Sequence, residues 1–136
     1  MSGIFKRCRE TTGLEFWDCA VEIARELTRF LMCDKNVPKS YRYVYAIPII
    51  HLTQDLRRAI VSANTVFPSN EHDLQRRKDL QQDAININES IIQALQDMLE
   101  VLTNIDVNKL DRVGDLLIQE SALLKAWRKS SKLLSK

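Results

Sequence analysis

The residues of this chain best suited to chemistry are basic, and the chemistry they suit is the neutralisation of phosphate. Arg57 and Arg58 stand together, Arg76, Arg77 and Lys78 form a second run, and Lys125, Arg128, Lys129, Lys132 and Lys136 recur three or four residues apart. That last spacing puts its members on one stripe of a helix. Lys and Arg that cancel phosphate charge drive nucleic-acid affinity without any contact to a base. The plainer role for cations late in a helix is to complement its dipole, for at most about 1 kcal/mol each. Tyr41, Tyr43 and Tyr45 offer rings on which bases stack. A spacing of two cannot set all three on one helix face, so packing in a loop or interface is an equal use for them.

No set of residues fits catalysis. His51 and His72 fall on different elements, and neither has a partner at ligand spacing. A zinc site wants several Cys or His at short separations, and Cys8, Cys19 and Cys33 supply none. The Glu-x-x-His pair of a four-helix di-iron site does not occur, nor does a phosphate-cradling glycine loop or a serine or cysteine set beside a base. The expectation is no catalytic residue, no metal ligand and no cofactor.

Four helices must position the cations. The spacing predicts a first helix from Leu14 to about Asp34, with Leu14, Trp17, Val21, Ala24, Leu27 (or Thr28) and Leu31 as its buried stripe. Phe16, Ile23 and Phe30 widen that stripe enough for two neighbours or an oligomer partner, and Pro38 ends the helix. A second helix is predicted from about Ser40 to Asn64, burying Val44, Ile47, His51 or Leu52, Leu56, Ala59 and Ala63. Pro48 inside it implies a kink, or a true start near residues 46 to 48. Ser69 or Asn70 can cap a third helix from about Glu71 to Thr103, whose second half buries Ala84, Ile91, Leu95, Met98 and Leu102. Its first half is polar and reads as projecting past the core or flanking a binding surface. Asp106 is a candidate cap for a fourth helix running to about Leu134, which buries Leu110, Val113, Leu117, Leu124 and Trp127. Short connections make sequential helices antiparallel, so the fold class expected is all-α, an up-down-up-down four-helix bundle. In that arrangement the second and fourth helices end where the third begins, and the three basic clusters converge on one end.

Composition agrees with this reading. Of 136 residues 45% are hydrophobic and 28% charged, with three Gly and three Pro, as in one helical domain over 14–134. Net charge alternates along the chain: +2 over 1–13, −3 over 14–34, +4 over 35–64, −4 over 65–103 and +3 over 104–136. Helices of opposite sign attract as neighbours, and the basic segments also make a surface for an acidic partner. No apolar run approaches a membrane span, and Met1 to Arg7 reads as neither signal nor anchor. Residues 1–13 read as a flexible basic segment. Three cysteines far apart favour a reducing cytoplasm over a disulfide framework.

Several segments, in order, resemble a known family. Val37-Pro38-Lys39-Ser40-Tyr41-Arg42 resembles the aromatic-Pro-basic-x-x-basic turn of the accessory variability determinant family, small four-helix bundles of diversity-generating retroelements. Ile60-Val61-Ser62-Ala63-Asn64 is similar to the end of that family's second helix, and Arg77-Lys78-Asp79-Leu80 with Ala84 to the start of its third. Leu123-Leu124-Lys125-Ala126-Trp127-Arg128-Lys129-Ser130 is similar to its carboxy-terminal ending. Val37 replaces an aromatic, and Lys125-Ala126 stands where two glycines are common. The likeness covers about residues 14 to 131, and a sister family encoded by intervening sequences of bacterial ribosomal RNA genes shares the bundle.

The resemblance implies a homopentamer with a basic surface. It would bind RNA and DNA and the element's reverse transcriptase, assisting mutagenic copying of template RNA without catalysing it. The sister family implies a bundle of structural or interaction role instead. The implied turn adds Lys39 and Arg42 to the candidate nucleic-acid contacts Arg57, Arg58, Arg76, Arg77, Lys78, Lys125, Arg128, Lys129 and Lys132.

Overall fold

The computed structural model describes residues 14–135, so the segment 1–13, with Cys8, and Lys136 lie outside the described residues. Four long helices carry the architecture: α1 (Glu15–Leu31), α2 (Ile47–Asn64), α3 (Glu71–Val101) and α4 (Asp111–Ser130). There is no strand among the described residues. The protein is an all-helical bundle, in which α1 and α3 each pack against both α2 and α4. A single cluster of buried side chains draws on all four helices. Among the described residues no helix is long and apolar enough to cross a membrane.

The buried face of α1 is broader than its expected stripe and centred elsewhere. Phe16, Cys19, Ala20, Ile23, Ala24, Leu27, Phe30 and Leu31 are buried, whereas Leu14 is exposed and Trp17 and Val21 are only half-buried. A helix wedged between two neighbours buries two adjacent rows rather than one, which is what the added width of Phe16, Ile23 and Phe30 serves. The helix stops at Leu31, short of the expected Asp34, where the Met32 N–H donates to Thr28 O at 3.1 Å, and the Cys33 N–H and the Asn36 amide donate to Phe30 O at 3.4 and 3.0 Å. Pro38 does not end α1. It precedes a single turn, Lys39–Tyr41.

A π-helical turn, Arg42–Ala46, follows and runs directly into α2. Pro48 then falls in the first turn of α2, directly after the wide turn, which gives its ring the room that ordinary winding would not. The extra residue in the wide turn shifts the phase of everything before it. The inward row of α2 is Ala46, Ile49, Thr53, Leu56, Ile60 and Ala63, while Val44, expected inside, is 60% exposed and His51 faces solvent.

Asn70 caps α3, its Oδ1 accepting from the Asp73 N–H at 2.8 Å. The expected row of α3 is buried except for half-buried Leu102, and it also includes Gln81 and Asn88. Asp106 caps a 3₁₀ turn, Val107–Leu110, rather than α4 itself. The helix α4 ends at Ser130, not Leu134. The Ser130 hydroxyl donates to Trp127 O at 2.8 Å, and hydroxyls that take last-turn carbonyls compete with helix continuation. Residues 131–135 leave the helix, and the Leu134 N–H donates to Pro68 O at 3.0 Å in the α2–α3 connection.

Candidate nucleic-acid interface

Side-chain contacts assemble one end of the bundle. Phe16 of α1 stacks on Trp127 of α4, ring centroids 4.2 Å apart. The Arg77 guanidinium lies over the Trp127 ring at 5.6 Å and donates to Val66 O at 2.8 Å. Arg128 Nε donates to Lys78 O at 3.2 Å, and the Ser131 hydroxyl donates to the Gln81 amide oxygen at 3.0 Å. The start of α3, the end of α4 and the connection after α2 therefore meet. The second and third basic clusters lie together there.

The cations at this end divide by exposure. Arg76, Lys125, Lys129 and Lys132 are exposed, and among the described residues none has an ion-pair partner. Lys132 lies beyond the end of α4, so the helical stripe expected from Lys125 to Lys136 is reduced to Lys125, Arg128 and Lys129. Arg77 and Arg128 are half-buried and act as ties between elements. Burial lowers the pKa of Arg77 from its ordinary value. Both still bond to neutral carbonyls, so the hydrogen bonds are satisfied while the charges are not cancelled.

Arg57 and Arg58 lie within α2, about two turns before its end. Arg57 Nε donates to Thr53 O at 3.3 Å, again a carbonyl, and exposed Arg58 pairs loosely with Asp55 at 3.4 Å. Lys39 and Arg42 do not join the other candidates. They belong to the α1–α2 connection, whose Lys35, Asn36, Pro38 and Tyr41 share a surface hollow with Val101 to Ile105 at and beyond the end of α3. At about 1.5 Å per residue, Arg76 and Val101 are roughly 38 Å apart along α3. Arg42 is moreover ion-paired with Asp34. Tyr41 and Tyr45 pack at 6.5 Å between centroids, while Tyr43, 82% exposed, points away from the core.

A second polar feature lies inside the bundle, one that the spacing of basic residues does not announce. Glu120 on α4 is completely buried, and among the described residues neither of its oxygens has a hydrogen-bond partner. Burial pushes its pKa up to about 8. The neighbouring Cys19 thiol donates to Leu116 O at 3.3 Å, and burial, then the closeness of Glu120, pushes it up to about 12. Asn88 donates to Leu117 O at 3.0 Å with its own oxygen unpartnered. The sequence does carry a signal for this feature, in phase: Asn88 falls between Ala84 and Ile91, and Glu120 between Leu117 and Leu124, each flanked by apolar residues of its row. Among the described residues no group of three or more His, Cys, Asp or Glu is placed to hold a metal ion.

Comparison of the chain with protein-family models, curated proteins and solved structures gives no match.

Proposed function

We propose that the protein is a non-catalytic, nucleic-acid-binding subunit, an up-down-up-down bundle that holds RNA and DNA on the end where α3 begins and α4 finishes. The observation that carries this reading is the pattern of bonding there. Among the described residues Arg77 and Arg128 bond to carbonyls, and Arg76, Lys125, Lys129 and Lys132 have no ion-pair partner, so the cations gathered at this end are left available to an anion. The sequence likeness to the accessory variability determinants supplies the rest: a cytoplasmic homopentamer that partners a retroelement reverse transcriptase and presents template RNA to it. A ring of protomers would repeat the basic end around its rim.

A gel-shift titration tests the binding. Affinity should fall linearly as salt rises on logarithmic axes. Replacing Arg76, Lys125 and Lys129 together by Ala should flatten the slope by about 2 to 3, at about 0.7 to 0.9 for each phosphate no longer neutralised. Arg77 stays intact in this variant because it holds the fold. Wild-type binding that is absent, or indifferent to salt, refutes the proposal. Light scattering tests the assembly, which should weigh five times the 15.8 kDa of one chain. A monomer at micromolar concentration refutes the oligomer.

A further inference from the structure

Phe16 and Trp17 are consecutive, so on α1 their rings point about 100° apart. Phe16 enters the stack with Trp127, and Trp17 turns instead towards α2. There it lines an open groove of about 560 Å³ together with Gln54, Arg57, Arg58, Val61 and Ser62. Trp17 is half-buried, its inner edge packed on the core, while Val61 is 50% exposed. Among the described residues no carboxylate lines the groove, and its charged lining residues are both arginines. Arg57 uses Nε on a carbonyl of its own helix, and the Arg58 side chain is 76% exposed.

From this juxtaposition we propose that the α1–α2 groove is a stacking site for an unpaired base of a single-stranded nucleic acid, with the base on Trp17 and the flanking phosphates on Arg57 and Arg58. The inference rests on the nucleic-acid reading above and adds strand type to it. An indole stacks any base whose face is open, and sequence hardly matters. The bases of a duplex are already stacked on each other and cannot enter. The groove also lies near the basic end, because Phe16, next to Trp17, stacks on Trp127, which lies under Arg77.

The chain has two tryptophans, so Trp127→Phe leaves Trp17 as the sole indole while keeping a ring on Phe16. Titrated at low salt, oligothymidylate should quench the fluorescence of this variant, and a duplex of equal length should not. In an otherwise wild-type chain Trp17→Ala should weaken oligothymidylate binding about tenfold or more. It should leave the salt slope unchanged, and Trp17→Phe should recover most of the loss. Arg57→Ala with Arg58→Ala should instead flatten the slope by about 1.4, at about 0.7 per phosphate on a single strand. Unquenched fluorescence while the gel shift persists overturns the groove and leaves the basic end standing. A Trp17→Ala variant that changes the mass of the particle but not its affinity overturns it too, in favour of an interface between copies. Wild-type protein that binds no nucleic acid removes both readings.

Discussion

On the flank between α1 and α4, Arg112 reaches across to two carboxylates, its Nη2 3.2 Å from Glu22 and its Nε 3.2 Å from Glu26. At the end where α4 meets the start of α3, Arg77 and Arg128 reach across to the carbonyls of Val66 and Lys78. Both regions use guanidinium groups to join elements distant in sequence. On the flank the joint cancels charge, and at the end it retains charge. A residue that holds the fold can therefore still contribute to the field a polyanion meets, and the dichotomy between structural and binding cations breaks down at Arg77. The flank teaches a second lesson. Its half-buried carboxylates on α1 have a cation, whereas Glu120, buried on α4, has no hydrogen-bond partner among the described residues.

The sharpest test of that contrast is Glu120. Its pKa stands at about 8 in the fold against an ordinary 4.5. Between those values the folded chain keeps a proton that the unfolded chain has lost. Stability is then fully present below about pH 4.5, and falls as pH rises towards about 8, by up to about 1.4 kcal/mol per pH unit. Glu120→Gln, neutral and of the same shape, should match wild type in urea unfolding at about pH 4 and exceed it by a few kcal/mol, about 4, at about pH 8. Equal stability at both pH values would show that a partner compensates the carboxylate after all.

Arg77 gives the next largest effect. Arg77→Ala strands the buried Val66 carbonyl and uncovers one face of Trp127, at a cost of about 2 to 3 kcal/mol. Arg76→Ala, one residue earlier and exposed, should leave the unfolding midpoint unchanged and weaken only nucleic-acid binding. If the two variants unfold alike, Arg77 is not a tie.

The smallest effect belongs to the flank. Arg112 lowers the pKa of Glu22 chiefly by donating a hydrogen bond to it, so the pair's contribution is present at neutral pH and lost on acidification through the carboxylate range. Arg112→Ala should move the thermal midpoint by less than about 3 °C at low salt, and by less still in 1 M salt, because exposed pairs contribute little and are screened. A larger, salt-independent shift would place this flank with the basic end.

The parts of this molecule legible in its sequence are those with one periodicity and one cause. The buried row of α3, the Asn70 cap and the meeting of the second and third basic clusters follow from spacing and connection length. The rows of α1 and α2 are displaced for different reasons. α1 serves two neighbours, so Leu14 and Trp17 look as suitable for the interior as Phe16 and Ala20. In α2 the π turn breaks the count before Pro48, and Thr53 hides an inward position behind a hydroxyl that bonds to Ile50 O of its own helix. Among the site residues, Arg76 and Arg77 are adjacent in a single basic run. Only the Val66 carbonyl and the Trp127 ring, 11 and 50 residues away, separate their roles.

The π turn over Arg42–Ala46 also has a meaning for sequence drift. Removing one residue from a helix rotates all that precedes the cut by about 100° relative to all that follows, which ordinarily destroys an interface. A π turn is an α-helix with a residue to spare. A single-residue deletion inside 42–46 would restore regular winding, and with Pro48→Ala, which removes the ring that ordinary winding would press against a carbonyl, the lineage could lose or regain that residue without refolding the bundle. The approach to α2 is thus where length variation among relatives should collect, while α3 keeps its length.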